Sequence, residues 1–300
     1  MKRRQIYLKL LDLGTGLVAR IPLPWLHAAA RPMAWLLSLL PWNKHAIVAR
    51  NLSVCFPDLS FGERKQLARE QLVELMRLGS EVGALAHWPE ERLIGHLPVV
   101  NGWEYVDAAL SHGRGALMVT GHIGNWEILN LELSRRISMV TLYRAPESQI
   151  MDQFISTARS RFGGRVVASG SASMRGLLRQ LKDGGAVGIA ADIQPKRGEG
   201  VFAPFCGVPA LTMTLVNRLA RKTGCAVILC KATRLESARG WRLDFQPAPG
   251  EVTDSDPQRA MCSINDWLTD SVRAKPNQYL WIYKRFSKRP QPGKRFYPKA

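Results

Sequence analysis

The stretch Gly115-Ala-Leu-Met-Val-Thr-Gly-His-Ile-Gly-Asn-Trp-Glu127 carries an apolar run into a glycine, a histidine and, five positions later, an acid. The apolar run predicts a buried strand, and Gly121 and Gly124 give the backbone the freedom to turn after it. A histidine placed where a buried strand opens into a loop is a candidate general base. The sequence therefore points first to His122 and Glu127.

Positions five apart lie about 140° apart around an ideal helix, so His122 and Glu127 cannot meet within one helix. They can meet if His122 lies in the turn and Glu127 in the first turn of the next helix. We then expect Glu127 to hold one ring N–H, which leaves the other nitrogen to accept a proton. Exposed N–H groups at the start of that helix are candidates to stabilise an oxyanion. The alternative is a structural pair without catalytic function.

The fold class follows from the texture of the chain after residue 99, where short apolar runs alternate with helical stretches. The predicted strands are 115–120, 138–143, 186–191, 226–232 and 241–245. The predicted helices are 103–111, 125–135, 149–162, 172–182, 212–222 and 257–274. This alternation predicts an α/β fold with a central, mostly parallel sheet flanked by helices.

The N-terminal region differs in character. Residues 44–95 have helical periodicity, clearest over 61–87, where Ser60 and Glu63 form a capping-box pattern. Residues 1–42 form an arm rich in tryptophan. We find no linker that would divide 43–300, so we predict an arm over 1–42 and one α/β domain over 43–300.

The arm is amphipathic. On a helix its polar stripe and its apolar stripe lie on opposite sides. The polar stripe holds Lys9, Asp12, Gly16 and Arg20, and the apolar one holds Leu10, Leu13, Leu17 and Ile21. Such a helix suits a bilayer interface, where tryptophan is also enriched. The alternatives are an amphipathic helix packed on the core, with residues 36–40 buried, and a tilted span over 22–41.

The charge is strongly positive, at a formal +18, and this attracts polyanions such as phosphorylated lipid, an acidic carrier protein or nucleic acid. From Trp281 onwards basic residues mix with aromatic ones, which suits an anionic lipid surface, an acidic carrier protein or, over the last ten residues, only a solubilising tail. The five cysteines form no C-x-x-C pair and the histidines are scattered, so we expect neither disulfides nor a metal site. No nucleotide-binding glycine motif occurs.

Several segments together carry a family resemblance. They are the H-x-x-x-x-E box with its Asn-Trp before the acid, Tyr143-Arg144, Arg159-Ser-Arg161-Phe-Gly163, Ala191-Asp192-Ile-Gln194, the stretch 201–212 and Lys275-Pro-Asn-Gln-Tyr-Leu-Trp-Ile-Tyr-Lys-Arg-Phe286. The chain resembles the late acyltransferases of lipid A biosynthesis, the lauroyl and myristoyl transferase group of the lysophospholipid acyltransferase superfamily. Ile193 interrupts the family's Asp-Gln pair, so Asp192 is carried over and Gln194 is left open.

The resemblance implies transfer of a fatty acyl chain from an acyl carrier protein thioester to a hydroxyl of a lipid A precursor. His122 would be the general base and Glu127 its partner. The implied partners are acyl carrier protein, an anionic lipid acceptor and the cytoplasmic face of the inner membrane; no nucleic acid, metal or cofactor is implied. The implied substrate-binding residues are Asn125, Arg144, Arg159, Arg161 and Asp192.

Other functions remain open at this point. Relatives acylate other acceptors, such as ornithine lipid or lysophospholipid. A non-catalytic basic protein that binds an anionic membrane or nucleic acid would also explain the charge, although no nucleic-acid-binding motif is present. A hydrolase would use the same histidine with water as the acceptor.

Overall fold

The computed structural model describes residues 2–170, 173–291, 293 and 295–298. Within these ranges the strands are β1 (Val99–Asn101), β2 (Ala116–Thr120), β3 (Met139–Tyr143), β4 (Arg165–Ala168), β5 (Ala186–Ala190), β6 (Gly200–Phe205), β7 (Val208–Met213), β8 (Ala226–Arg234) and β9 (Trp241–Pro247). Seven of them form one sheet in the order β1-β9-β8-β2-β5-β3-β4, and β6 and β7 form a separate hairpin.

The helices cover both faces of this sheet and build the N-terminal region. They are α1 (Lys2–Arg20), α2 (Leu23–Leu39), α3 (Lys44–Cys55), α4 (Phe61–Leu85), α5 (Glu90–Gly95), α6 (Trp103–Ser111), α7 (Trp126–Arg136), α8 (Gln149–Arg159), α9 (Ser173–Lys182), α10 (Leu215–Thr223) and α11 (Pro257–Ala274). The predicted capping box at the start of α4 is present, with Ser60 and Glu63 bonded to each other's backbone N–H groups.

The sheet confirms the predicted α/β class. All neighbouring strands run parallel except β8 and β9. In β2, Leu117 and Val119 join the hydrophobic cluster on one face, whereas Ala116 and Met118 join the cluster on the other. Burial on both faces explains why β2 reads as an unbroken apolar run, as central parallel strands do.

Two predicted helices end or begin elsewhere than expected. The predicted helix over 212–222 begins only at Leu215, because residues up to Met213 pair with β6 in the hairpin. Pro204 and Pro209 lie opposite each other there, and proline weakens a strand pattern. The helix predicted over 149–162 ends at Arg159, because Phe162 adopts a left-handed φ of 58° in the short turn that follows. Residue 172 of a third prediction lies outside the described residues.

Helices α1 and α2 both pack on α4, and both leave large apolar side chains exposed. On α1, Ala19 is buried, and Thr15 and Asp12 lie 2.8 Å and 3.7 Å from His87, which follows α4. The apolar stripe faces outward, with Leu13 63% exposed, and so do residues 36, 39 and 40 of α2. The alternative in which these apolar residues are buried against the core is therefore wrong.

None of the helices in the described ranges is both long enough and apolar enough to cross a membrane.

The C-terminal segment is part of the core. Trp281 and Phe286 are buried, and the Tyr297 hydroxyl donates a hydrogen bond to Asn51 Oδ1 on α3 at 2.6 Å. The idea that the last ten residues only solubilise the protein is therefore wrong for Tyr297.

Candidate active site

The turn after β2 brings His122 to the carboxyl edge of the sheet, and glycine is required on either side of it. A Cβ at Gly121 would lie 2.6 Å from Leu268 Cδ2 of α11. Gly124 has a φ of +63°, and a Cβ there would overlap the carbonyl oxygen of Ala232 on β8. The prediction that glycine supplies backbone freedom in this turn is confirmed for Gly124, whereas Gly121 is constrained by the close approach of Leu268.

The carboxylate that holds His122 belongs to Asp192. The His122 backbone N–H donates to Asp192 Oδ2 at 2.9 Å, and ring Nδ1 lies 2.8 Å from Oδ1. Asp192 follows β5, which is the parallel neighbour of β2, so both residues lie at the carboxyl ends of adjacent strands. This is the edge where α/β sheets place their ligands.

Mutual stabilisation sets the protonation of this pair. Burial by itself lowers the pKa of His122, but the Asp192 carboxylate outweighs it and raises that pKa above the ordinary 6.5. Burial likewise opposes the charge of Asp192, yet the histidine lowers the pKa of this carboxyl below its usual value. Asp192 is therefore a carboxylate that favours the protonated imidazole.

The predicted hydrogen bond between His122 and Glu127 is wrong. Glu127 accepts hydrogen bonds from Arg159 Nε at 2.7 Å, from Arg159 Nη2 at 2.5 Å and from Trp126 Nε1 at 3.0 Å. The five-residue spacing does place His122 and Glu127 on the same side of the turn, where both line one cavity. Glu127 nevertheless binds Arg159, because a guanidinium offers a carboxylate two parallel hydrogen bonds. The ring N–H of His122 is already hydrogen-bonded to the Asp192 carboxylate.

Two of the predicted oxyanion donors at the start of α7 already have a partner. The N–H groups of Glu127 and Ile128 both donate to the side-chain oxygen of Asn125, which caps the helix. Asn125 is fully buried, and its amide donates to Glu81 at 2.8 Å. The structure therefore places Asn125 in a capping position rather than on the surface of the substrate cavity.

The imidazole opens onto a cavity beside β2, β3 and β5. Its side chain is 19% exposed and stacks edge-on against Trp126, with ring centroids 4.6 Å apart. The cavity has an empty volume of about 700 Å³, counting space open to solvent. Its polar wall carries His122, Glu127 and Arg159, and its apolar walls include Met118, Leu129, Leu133, Met139, Gly188, Ile189 and Cys230.

The three predicted arginines end in different surroundings. Arg144 is exposed and lines the cavity. Arg159 also lines it, and although burial opposes its charge, Glu127 raises its pKa. Arg161 lies elsewhere, donating to the carbonyl oxygens of Leu85 and Trp88. The structure therefore brings Arg144 and Arg159 to the histidine but not Arg161.

A buried charge cluster behind the turn has no counterpart among the predicted site residues. Glu81 of α4 accepts hydrogen bonds from Arg234 of β8 and pairs with His27 of α2 at 2.6 Å. Burial opposes its charge, but Arg234 and His27 together outweigh burial and lower the pKa of Glu81 to about 2. The signal in the sequence is an acid on the apolar face of α4, which requires a buried partner.

Within the described ranges, no group of three or more histidine, cysteine, aspartate or glutamate side chains is arranged to hold a metal ion.

Comparison with known proteins places this site in a family. The family model described as bacterial lipid A biosynthesis acyltransferase matches residues 5–288. This chain belongs to that family. The match includes β2, β5 and the turn that carries His122, so the geometry described above is that of a family member.

Individual relatives of the chain include three proteins of Escherichia coli (strain K12). A lipid A biosynthesis palmitoleoyltransferase is 29% identical over 83% of this chain and 80% of its own length. A lauroyltransferase is 25% identical over 93% and 92%, respectively. A myristoyltransferase is 24% identical over 81% and 75%. The chain is therefore an acyltransferase, and the three names show that family membership leaves the acyl chain open.

Proposed function

We propose that this acyltransferase moves a fatty acyl chain from the thioester of acyl carrier protein to a hydroxyl of a lipid A precursor, at the cytoplasmic face of the inner membrane. The observation that carries the proposal is the His122–Asp192 pair, which opens onto a cavity with apolar walls. The family match supports the lipid A acceptor, and the positive charge of the chain suits both an anionic lipid and an acidic carrier protein.

In the proposed reaction His122 Nε2 takes the proton of the acceptor hydroxyl as its oxygen attacks the thioester carbonyl carbon. Asp192 holds Nδ1–H and stabilises the imidazolium that forms. The tetrahedral intermediate then collapses, the C–S bond breaks, and the imidazolium returns its proton to the leaving sulfur. General base catalysis of this kind contributes about 10²–10⁴-fold in rate.

Glu127 has a supporting task in this scheme. It neutralises Arg159 and fixes the guanidinium on the cavity wall, 5.9 Å from the centre of the Tyr143 ring. Its charge also raises the pKa of His122, although burial and Asp192 have larger effects on that pKa. We therefore assign Glu127 as a positioning residue for Arg159 and His122, in place of the ring contact expected from the sequence.

The apolar part of the cavity suits the fatty chain. Met118 and Ile189 belong to the central strands, and Met139 and Leu133 extend the apolar wall away from the histidine. With the thioester carbonyl near His122, the chain would lie against these side chains and be removed from water.

The arm suits the membrane surface. Leu10, Leu13 and Leu17 of α1 and Trp35 of α2 are each more than half exposed. An apolar face of this size on a soluble surface marks an interaction site. We propose that α1 and α2 lie on the bilayer with these side chains in the interface, as amphipathic helices do.

The proposed function is tested by His122→Ala, assayed with acyl carrier protein thioester and a lipid A precursor, with the product detected by mass spectrometry. We expect acyl transfer to fall by about 10²–10⁴-fold because the proton acceptor is lost. The matched control is His112→Ala, since His112 is exposed at the end of α6. Full activity of His122→Ala, or equal losses in both variants, would contradict the proposal.

A further inference from the structure

Four cationic residues belong to segments at or next to the cavity: Arg144, Lys196, Arg197 and Lys288, here called the basic rim. Arg144 lines the cavity itself. The Lys288 ammonium donates to the carbonyl oxygen of Pro195, the residue before Lys196. Burial lowers the pKa of Lys288, and the charges of Arg197, Arg144 and Lys196 lower it as well, so each of these three charges acts on Lys288.

The basic rim is built on the segment that holds the histidine's partner. After Asp192, Ile193 lines the cavity. The Gln194 backbone N–H donates to the Tyr283 hydroxyl at 2.9 Å, and its side-chain amide donates to the Arg285 carbonyl at 3.1 Å. These hydrogen bonds connect the segment after β5 to the C-terminal segment. Because Asp192, the partner of His122, begins the first of these segments, the position of the rim relative to His122 is defined.

The charge of the basic rim is not balanced locally. The charge of Glu199 acts on Lys288 in the opposite sense, and the Glu199 carboxylate accepts a hydrogen bond from the Lys196 backbone N–H at 3.3 Å. Among the described residues, ion pairs within 4 Å involve other arginines, including Arg159 with Glu127. An excess of cations next to a cavity attracts an anion with several oxygens.

We propose that the basic rim binds a phosphate group of the lipid acceptor and so presents the neighbouring hydroxyl to His122. The inference rests on the proposed function and deepens it. A phosphorylated lipid fits better than an acidic protein surface, because Arg144 forms part of the cavity wall and Lys288 is only half exposed. Guanidinium and ammonium groups together suit phosphate, the former through paired hydrogen bonds.

The test compares the double variant Lys196→Glu/Arg197→Glu with Lys182→Glu/Lys222→Glu, which makes the same charge change at exposed positions of α9 and α10. Each is assayed with a phosphorylated lipid A precursor and with the same lipid after phosphatase treatment. We expect the rim variant to lower kcat/KM for the phosphorylated acceptor about tenfold or more, mainly through a higher KM. The treated lipid should show no such difference, and the control variant should behave as wild type.

Two outcomes would overturn the basic rim as a phosphate site. One is an unchanged KM for the phosphorylated acceptor. The other is a raised KM for acyl carrier protein thioester alone, which would make the rim a docking surface for an acidic protein. If the charge reversal impairs folding, Lys196→Gln/Arg197→Gln removes the charges without reversing them and should give a smaller rise in the same KM.

A binding experiment separates this proposal from the proposed reaction. His122→Ala protein, with and without the rim substitutions, is titrated with detergent micelles that contain the phosphorylated or the phosphatase-treated lipid. We expect weaker binding of the rim variant only to the phosphorylated micelles. If the wild-type protein showed no acyl transfer but this binding difference remained, the reaction would be wrong and the basic rim would stand. If acyl transfer were normal but the binding difference were absent, the proposed reaction would stand and the basic rim would be wrong.

Discussion

The carboxylate that poises His122 lies 70 positions further along the chain, at Asp192. Asp192 contacts both the backbone and the ring of the histidine, so it fixes the direction of Nε2 as well as the charge of the imidazole. Glu127, which is close in sequence, instead binds Arg159. At the scale of single residues, the chemistry of this site depends on which acid reaches which ring nitrogen.

The raised pKa of His122 predicts the pH dependence. A general base works in its neutral form, so kcat/KM should rise with pH through a midpoint above 6.5. Asp192→Asn removes the largest charge that raises this pKa, so the midpoint should fall, and the rate should drop by about 10²–10⁴-fold. By linkage, the raised pKa of His122 stabilises the fold below the pKa of the unfolded histidine, and this contribution disappears as pH rises through the raised pKa. The lowered pKa of Asp192 stabilises the fold above the pKa of the unfolded carboxyl, and that contribution is lost as pH falls through the lowered pKa.

Glu127→Gln is the matched comparison for the pH profile. Its charge raises the pKa of His122 less than that of Asp192 does, so the midpoint should move down by a smaller amount. A larger displacement for Glu127→Gln than for Asp192→Asn would show that the assignment of the two acids is wrong.

The apolar walls predict how acyl chain length is selected. A Cβ at Gly188 would overlap Met139 Cε, the end of an adaptable side chain, so Gly188→Ala should push Met139 and shorten the cavity. Met139→Ala should lengthen it. In a competition among acyl carrier protein thioesters of different length, the products should shift to shorter chains for the first variant and to longer chains for the second. Shifts in the same direction would contradict this placement of the fatty chain.

At the scale of elements, the turn between β2 and α7 depends on packing against its neighbours. Gly124 N–H donates to the Gln278 carbonyl, and Asn125 N–H donates to that of Ala232. Behind the turn, Glu81 joins α4 to α2 through His27, to β8 through Arg234 and to the cap of α7 through Asn125. Residues of α2, α4 and β8, which are distant in sequence, thus fix the position of the turn at His122.

Gly124→Ala tests how tightly this turn is determined. A left-handed φ and overlap with the Ala232 carbonyl should together destabilise the protein by at least about 1–3 kcal/mol. Gly79→Ala is the control, because a Cβ there meets nothing within 4 Å on α4 and should stabilise by roughly 0.5–1 kcal/mol. Urea unfolding of both variants measures the difference, and equal stabilities would contradict the strain at Gly124.

At the scale of the whole molecule, the apolar surface and the site lie on connected elements. Helix α1 packs on α4, its Thr15 contacts His87 just after α4, and its Arg4 donates to Gln149 and Gln153 of α8. Arg159, which lines the cavity, belongs to the same α8. Helix α8 therefore contacts the arm and also carries a residue that lines the cavity.

The double variant Leu13→Glu/Leu17→Glu tests the membrane contact. Placing two charges on the exposed apolar stripe of α1 should weaken sedimentation with anionic phospholipid vesicles. Phe61→Glu is the control, since Phe61 is 77% exposed but lies at the start of α4. Equal vesicle binding by wild type and the double variant would contradict the proposal for the arm.

The local pattern was sufficient to predict the α/β class, the five strands that carry apolar runs, and the glycine-shaped turn at His122. Burial on both faces makes β2 and β5 continuous apolar runs, and glycine is the residue that a left-handed turn requires. It was also sufficient for the family resemblance, which the match over residues 5–288 confirmed.

Only the tertiary structure decided the pairing of the acids. Asp192 reaches His122 because β2 and β5 are parallel neighbours. Glu127 instead binds Arg159, which packing brings within reach. Arg161 instead donates to the carbonyl oxygen of Leu85 at the end of α4. Sequence spacing limits which side chains share a helix or a turn, whereas strand order determines which distant side chains meet. Hydrogen bonding between those side chains then settles the role of each.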